Sequence, residues 1–103
     1  SRLQRGGAVI AVLSQPVDHP KIPLWEMQLS SAAVCMNLLN CAQSMGYAAQ
    51  WLTEWYAYND MMLKSLGGNV SKDKISGFIY IGTKIEEPNE RRRPDPNDVI
   101  TYL

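Results

Sequence analysis

Residues 24–46 read LWEMQLSSAAVCMNLLNCAQSMG, and this stretch decides the fold class. It contains no glycine or proline before Gly46, which suits the C-terminal cap of a helix. When the residues are placed at 100° intervals, the polar side chains fall within about 40° of one line, and they are Glu26, Ser30, Asn37, Asn40 and Ser44. Most of the remaining circumference is apolar, so we predict a central helix over 24–46.

The segments around this helix predict three strands. Residues 8–14 read AVIAVLS, a β-branched run that predicts a strand buried on both faces. Residues 47–53 predict a short strand directly after the helix. Residues 75–83 predict a second strong strand, in which Gly77 and Gly82 indicate close backbone approach or a bulge.

The connecting segments are proline-rich or short. Three prolines in 15–24 predict an extended loop. The aromatic stretch 54–58 predicts an irregular segment, and Asn59 or Asp60 is a suitable cap for a short helix over 60–66. From residue 84 the chain is charged and proline-rich, and strand-like residues return at 99–103.

Charge and hydropathy exclude two classes of partner. The 103 residues carry ten basic and ten acidic side chains, so the formal net charge is zero. A neutral chain is a poor electrostatic partner for nucleic acid or for an anionic membrane. Polar residues interrupt the most apolar stretch, 27–45, before it reaches the ~20 residues of a membrane span. We expect neither nucleic acid nor a membrane as a partner.

The two cysteines and the single histidine argue against a disulfide, a metal site and a Ser-His-Asp triad. Cys35 and Cys41 lie six residues apart on one predicted helix, which separates them by about 9 Å of rise and about 120° of rotation. A disulfide needs Cα atoms within roughly 7 Å, so we expect two buried free thiols and a cytoplasmic protein. His19 is predicted to be exposed in a loop, and we expect no metal site and no Ser-His-Asp triad.

The predicted helix is too large for the rest of the chain to cover. About 22 helical residues span about 33 Å, and two or three strands cover one side only. Apolar surface left over on that scale indicates an interface. We therefore expect an obligate partner surface, which is either a second subunit or a missing half of the same protein; the opening Ser1-Arg2-Leu3-Gln4 reads as a start within a longer protein.

Several segments, in this order and spacing, resemble the FMN-dependent nitroreductase family. They are PKIPLWE at 20–26, the helix ending QSMGY at 43–47, QWLT at 50–53, LG at 66–67, DKISGFIYIGT at 73–83, and PDP and VITY within 94–102. The closing segment fits the short, single-domain branch of NAD(P)H nitroreductases. The resemblance covers nearly the whole chain, but only the C-terminal half of the family. It implies an α+β, three-layer α-β-α fold, with a core over 1–83 and an extended arm over 84–103.

The resemblance also implies cofactor-binding residues. In the family, backbone groups of the Trp-x-Thr segment bind the flavin ring, which transfers here to the segment after the central helix, with residues Trp51, Leu52, Thr53 and Glu54. Many members have glycine where this chain has Glu54. The stretch assigned to the nicotinamide cofactor NAD(P) in relatives corresponds here to Cys41, Ala42, Gln43, Ser44, Met45 and Gly46, although the same residues also suit a plain core helix.

Two family features concern residues outside this site. The Arg-Arg-Ser motif that holds the FMN phosphate in the family's N-terminal half does not occur here, and the run at 91–93 lies in the charged tail. The aromatic residues Trp55, Tyr56 and Tyr58 suit either a substrate entrance or a subunit boundary.

The implied activity is reduction of nitroaromatic or quinone acceptors by NAD(P)H through FMN, in a ping-pong hydride transfer. No residue is nominated as a general acid or base. The implied assembly is a homodimer through the 24–46 helix, in which the arm crosses to the other subunit. Two alternatives stay open. The chain is a non-catalytic dimerisation or interaction fragment without flavin, or it derives from a flavin-consuming or dehalogenating enzyme of the same fold.

Overall fold

A computed structural model describes residues 7–84 and 90–103. The elements in this part of the chain are β1 (Ala8–Ser14), α1 (Leu24–Ser44), β2 (Tyr47–Leu52), a 3-10 helix (Trp55–Tyr58), α2 (Asp60–Ser65), β3 (Lys74–Thr83) and α3 (Pro96–Val99). The predicted helices 24–46 and 60–66 and the predicted strands 8–14, 47–53 and 75–83 are confirmed to within two residues at each end.

The three strands form one antiparallel sheet in the order β1-β3-β2. β3, the longest strand, is therefore the central one. Its partners meet it in register over most of its length, with Ile79 opposite both Ile10 of β1 and Trp51 of β2. Phe78 and Ile79 are buried, as expected for a strand covered on both faces.

A bulge interrupts β3 and changes which residues share a face. Val12 pairs with Gly77 and Leu13 pairs with Ile75, so Ser76 is an extra residue opposite β1. Side chains alternate between the faces of a strand. The extra residue therefore brings Ile75 onto the same face as Phe78, and both belong to one buried cluster. The prediction of a bulge or close approach is confirmed at Gly77.

Helix α1 forms the layer on one face of the sheet. It begins after Pro23, whose carbonyl accepts hydrogen bonds from the amides of Glu26 and Met27, and it ends at Met45 and Gly46. Gly46 has a φ of 89° and donates its amide to the Gln43 carbonyl, so it caps the helix as predicted. Cys35 and Ala42 face inward and are buried.

The opposite face is covered by the 3-10 helix and α2. The cluster there consists of Ala57, Leu63, Ile75 and Phe78, with Ala11, Leu13, Tyr56, Met62 and Tyr80 packed around it. The side chain of Asn59 accepts a hydrogen bond from the Met62 amide at 3.0 Å and caps α2. The layers are thus helix, sheet and helix, which confirms the predicted α+β, three-layer α-β-α fold.

Two expectations were wrong. β1 lies at an edge of the sheet in the described part of the chain, and Ala8, Val9 and Ile10 are exposed, so the strand is not buried on both faces. Cys41 is exposed, because it is rotated by about 120° around α1 from the inward-facing Cys35; both thiols are free, as predicted. The strand-like residues from 99 onward form no strand in the described part of the chain, and Asp95 caps the short α3, accepting from the Asn97 amide at 2.9 Å.

The arm is exposed wherever the structure describes it, from residue 90 to residue 103. Within it, Arg93 forms an ion pair with Glu90 at 2.7 Å. The predicted mid-protein start at 1–4 and the arm residues 85–89 lie outside the described residues.

Candidate functional site

The turn after β2 has an unusual backbone. β2 ends at Leu52, and Glu54 then adopts a φ of 57° and a ψ of 172° before the 3-10 helix begins. This region is accessible almost only to glycine, and a side chain there costs of order 1–3 kcal/mol. Thr53 and Glu54 are half-buried. A glycine would adopt these dihedral angles without that cost.

Trp51, near the end of β2, is held by contacts with Ser76 and Gly77 of β3. Its indole Nε1 donates a hydrogen bond to the backbone carbonyl of Ser76 at 3.1 Å. A Cβ placed on Gly77 would overlap Nε1 and Cδ1 of the same indole. The hydroxyl of Ser76 is in turn hydrogen-bonded to the hydroxyl of Ser31 on α1, at 2.6 Å.

The other side of the turn carries exposed aromatic rings. Tyr58 donates its hydroxyl to Oγ1 of Thr53 at 3.3 Å. Tyr58 and Trp55 are 78% and 74% exposed, although both adjoin the half-buried turn. Tyr56 points inward, stacks edge-on against Phe78 and forms a hydrogen bond with the hydroxyl of Tyr80. Of the three aromatic residues considered for an entrance or a boundary, Trp55 and Tyr58 are therefore exposed beside the turn, and Tyr56 packs against the buried cluster.

The stretch predicted to meet the nicotinamide cofactor lies elsewhere. Cys41, Ala42, Gln43 and Ser44 form the last turn of α1, and Met45 and Gly46 form its cap. These residues precede the first residue of β2, whereas the turn at 53–54 follows its last. At about 3.3 Å per residue, the seven steps from residue 46 to residue 53 span roughly 23 Å along the strand. Ala42 is buried and the other five are exposed.

Other titratable and polar groups lie away from the turn. Two grooves border the loop 15–24, and neither is lined by residues 41–46 or 51–54. His19 is exposed, as predicted, and its Nδ1 accepts hydrogen bonds from the amides of Lys21 and Ile22. Among residues 7–84 and 90–103, no cluster of His, Cys, Asp or Glu has a metal-binding arrangement, and no helix is both long and apolar enough to cross a membrane.

Asp73 is the one buried carboxylate in the described part of the chain. Its Oδ2 accepts hydrogen bonds from the amide of Asn69 at 2.8 Å and from Nε2 of Gln15 at 3.1 Å. The Asn69 hydrogen bond, helped by Gln15 and the charge of Lys72 and opposed by burial, lowers the pKa of Asp73. Burial has the opposite effect on Cys35, where it raises the pKa of the thiol and keeps it protonated and unreactive.

Comparison with known proteins places this geometry in context. No protein-family model matches the sequence. The chain is 26% identical, over 100 residues, to the "Putative NAD(P)H nitroreductase YdjA" of Escherichia coli strains K12 and O157:H7, covering 96% of the chain and 54% of the relative. The nitroreductase-like family protein from Bacillus cereus superposes with a TM-score of 0.74 at 20% identity, over 92% of this chain and 50% of the other. The chain has a nitroreductase-like fold.

A second solved structure is a "putative nitroreductase in complex with FMN" from Exiguobacterium sibiricum. It superposes with a TM-score of 0.64 at 17% identity, over 81% of this chain and 40% of the other. The chain spans about half the length of the curated relatives it matches, and it corresponds to their C-terminal half. The resemblance on which the nitroreductase-like fold was predicted is thereby confirmed.

Sequence reasoning missed the residues that hold the turn within this nitroreductase-like fold. Gly77 was singled out for close approach, but the indole that approaches it could not be identified, because the contact joins residues 26 positions apart. Ser31 and Ser76 gave no signal, since small hydroxyl residues suit many environments. Glu54 was noted only as a departure from glycine; the positive φ was not foreseen.

Proposed function

We propose that this chain supplies the flavin-ring side of an FMN-dependent NAD(P)H oxidoreductase. The observation that carries the proposal is the turn at Thr53 and Glu54, whose backbone has glycine-type dihedral angles and is half-buried between the end of β2 and two exposed aromatic rings. A flavin ring needs an apolar surface together with a few fixed backbone hydrogen-bonding groups. The complex of a structural neighbour with FMN supports the same cofactor.

The residues of the turn fit one edge of the flavin ring. Backbone groups of Trp51, Leu52, Thr53 and Glu54 would hold that edge, and Trp55 and Tyr58 would border the opening through which an acceptor enters. When bound, FMN would supply the redox chemistry, taking two electrons from NAD(P)H in one half-reaction and giving them to a nitroaromatic or quinone in the next. The chain itself binds, orients and partly shields the ring.

The nicotinamide cofactor is less well accommodated by the predicted residues. NAD(P)H must bring its reactive carbon to the flavin ring, whereas the exposed residues Cys41, Gln43, Ser44, Met45 and Gly46 precede β2 and the turn follows it, so that Gly46 is roughly 23 Å from Thr53 along the strand. These exposed residues would therefore contact the adenosine end of the cofactor or a second copy of the chain. Their assignment stays a prediction, as does the cytoplasmic location.

The phosphate of FMN would be held by groups outside this chain. The sequence contains no Arg-Arg-Ser motif, and Arg93 is engaged with Glu90 in the exposed arm. Because the chain spans about half of its relatives, the proposal assigns to it only the contacts with the ring. An isolated chain with this role should bind riboflavin, which lacks the phosphate, about as tightly as FMN.

We also propose that α1 forms the spine of a homodimer. Trp25, Leu29 and Met36 lie along one line of the helix and are 66%, 48% and 46% exposed. Contiguous apolar surface of this kind marks an interface. The exposed arm, with Val99, Ile100 and Tyr102 open to solvent, would extend the contact onto the second subunit. In this proposal, residues 1–83 form the core and 84–103 the arm.

A second candidate is a non-catalytic dimerisation fragment. It is favoured by the same exposed line on α1 together with the missing phosphate motif, since both fit a chain that assembles without holding flavin. The two candidates predict different flavin affinities and the same oligomeric state.

A flavin titration distinguishes them. The purified chain is titrated separately with FMN and with riboflavin, and flavin fluorescence and absorbance are recorded. The first candidate predicts saturable binding of both flavins with similar dissociation constants; where flavin binds, NAD(P)H oxidation with a nitroaromatic acceptor tests the chemistry. A Lys64→Ala variant, altered on the exposed side of α2, is the matched control. A colourless chain that takes up neither flavin would exclude the first candidate for this polypeptide.

A further inference from the structure

The indole of Trp51 makes a hydrogen bond that its own strand pairing does not require. Trp51 is opposite Ile79 in the β2–β3 ladder, yet its Nε1 reaches along β3 to the carbonyl of Ser76 at 3.1 Å. Ser76 is the extra residue of the bulge, and a bulge leaves that residue outside the regular ladder. The β2–β3 ladder ends at the pair of Leu52 and Phe78, so the Ser76 carbonyl that the indole uses also lies beyond the last β2 pair.

Gly77 provides the space for the indole. A methyl group at Gly77 would overlap two indole atoms, Nε1 and Cδ1. Gly77 does not have a positive φ, so the requirement for glycine arises from close approach of the ring and not from backbone conformation. Any side chain at this position forces the indole away from the Ser76 carbonyl.

The contact also reaches α1. The Ser76 hydroxyl is 2.6 Å from the hydroxyl of Ser31, so the bulge is joined to the helix by one hydrogen bond and to β2 by the other. Ser31, Ser76, Gly77 and Trp51 together form what we term the indole latch. It fixes one end of the segment 51–54, and the hydrogen bond from Tyr58 to Thr53 fixes the other.

We propose that Trp51 is a positioning residue whose latched indole presets the backbone of Leu52, Thr53 and Glu54 for the flavin ring. Glu54 is held at a φ of 57°, and a strained conformation persists only where its surroundings determine it fully. The latch supplies that restraint on the strand side of the turn. The link to flavin rests on the proposed function, whereas the latch itself does not.

Exchange of the indole protons tests the latch without flavin. Trp55 serves as the internal control, because it is 74% exposed while Trp51 is half-buried. By NMR, the Trp51 indole proton should exchange more slowly than that of Trp55, and Gly77→Ala should abolish most of that protection. Equal exchange rates for these two indoles in the wild-type chain would overturn the proposal.

Two substitutions then connect the latch to the turn. Trp51→Phe keeps an aromatic ring and removes the donor, and Lys64→Ala on the exposed side of α2 is the control. Trp51→Phe should shift the backbone amide resonances of Thr53 and Glu54 and weaken FMN binding about fivefold, the effect of one lost hydrogen bond; Lys64→Ala should do neither. Unchanged Thr53 and Glu54 resonances in folded Trp51→Phe contradict the latch.

A double variant separates positioning from packing. Once the ring is removed altogether, Gly77→Ala meets no aromatic side chain, so Trp51→Ala with Gly77→Ala should bind FMN no more weakly than Trp51→Ala alone. Strictly additive losses would overturn the proposal. A wild-type chain that shows slow Trp51 exchange and displaced resonances in Trp51→Phe, but binds no FMN, would support the latch and contradict the proposed function.

Discussion

Replacing Glu54 by glycine is expected to stabilise the chain. Glu54 has a φ of 57° and a ψ of 172°, a region in which a side chain costs about 1–3 kcal/mol. Glycine removes that strain but loses more backbone freedom on folding, about 0.4–1 kcal/mol. The difference is a net gain of about 1 kcal/mol, which corresponds to a rise in melting temperature of roughly 4–8 °C for a domain of this size.

The matched control is Glu54→Ala. Alanine loses the same carboxylate and its contacts but keeps the strained backbone, so its stability should be equal to or below that of the wild type. Thermal and urea unfolding followed by circular dichroism measure both variants under identical conditions. The reasoning is refuted if Glu54→Gly is no more stable than Glu54→Ala, because the backbone of the turn would then carry no strain.

Three further perturbations test other parts of the structure. Asn59→Ala removes the cap of α2 and should lower the free energy of unfolding by about 1 kcal/mol, measured by urea unfolding beside the exposed control Lys64→Ala; an unchanged midpoint would argue against the cap. Asp73 has a lowered pKa in the folded chain, so its stabilising effect is present above about pH 4, the unfolded value, and is lost as pH falls through the folded pKa. Asp73→Asn should therefore be less stable than the wild type at pH 7, with the gap closing in acid, and parallel pH profiles would contradict this. Met36→Lys should dissociate a homodimer by placing an unpaired charge in its interface, as seen by sedimentation; a dimer that persists would exclude this face of α1 from the interface.

The long elements were predictable because their signals are local. The helix over 24–46 follows from an apolar stretch that glycine ends, and Gly46 performs the predicted cap. The predicted excess of apolar surface on that helix is also present, at Trp25, Leu29 and Met36. These features depend on residues within a few positions of one another.

The predictions that failed concern features that depend on contacts between residues distant in sequence. β1 has the composition of a buried central strand, but strand order places it at an edge, and no local pattern reports strand order. The alternation of inward and outward side chains along β3 can be assigned correctly only once Ser76 is known to be an extra residue, because one inserted residue exchanges the faces on which the following side chains lie. The assignment of Cys41 as buried failed for a related reason, since the sheet covers only one side of α1.

The candidate site was predicted through resemblance more than through composition. The segment 51–54 is where the chain has its strained turn, but the strain, the indole latch and the Tyr58 contact emerged only from the structure. The proposed nicotinamide stretch stays a prediction: residues 41–46 precede β2 and so lie at the opposite end of that strand from the turn.

The position of β1 has a consequence for how the chain behaves when nothing covers it. Within residues 7–84 and 90–103, β1 pairs only with β3, so its outer backbone amides and carbonyls point away from the sheet, beside the exposed apolar side chains of Val9 and Ile10. Such an edge readily pairs with an extended segment of any other chain. The unpaired amides and carbonyls of β1 can pair with one specific strand and extend the sheet. They can equally pair with strands from further copies of the chain. The edge formed by Ala8–Ser14 is therefore one place at which we expect copies of the chain to aggregate.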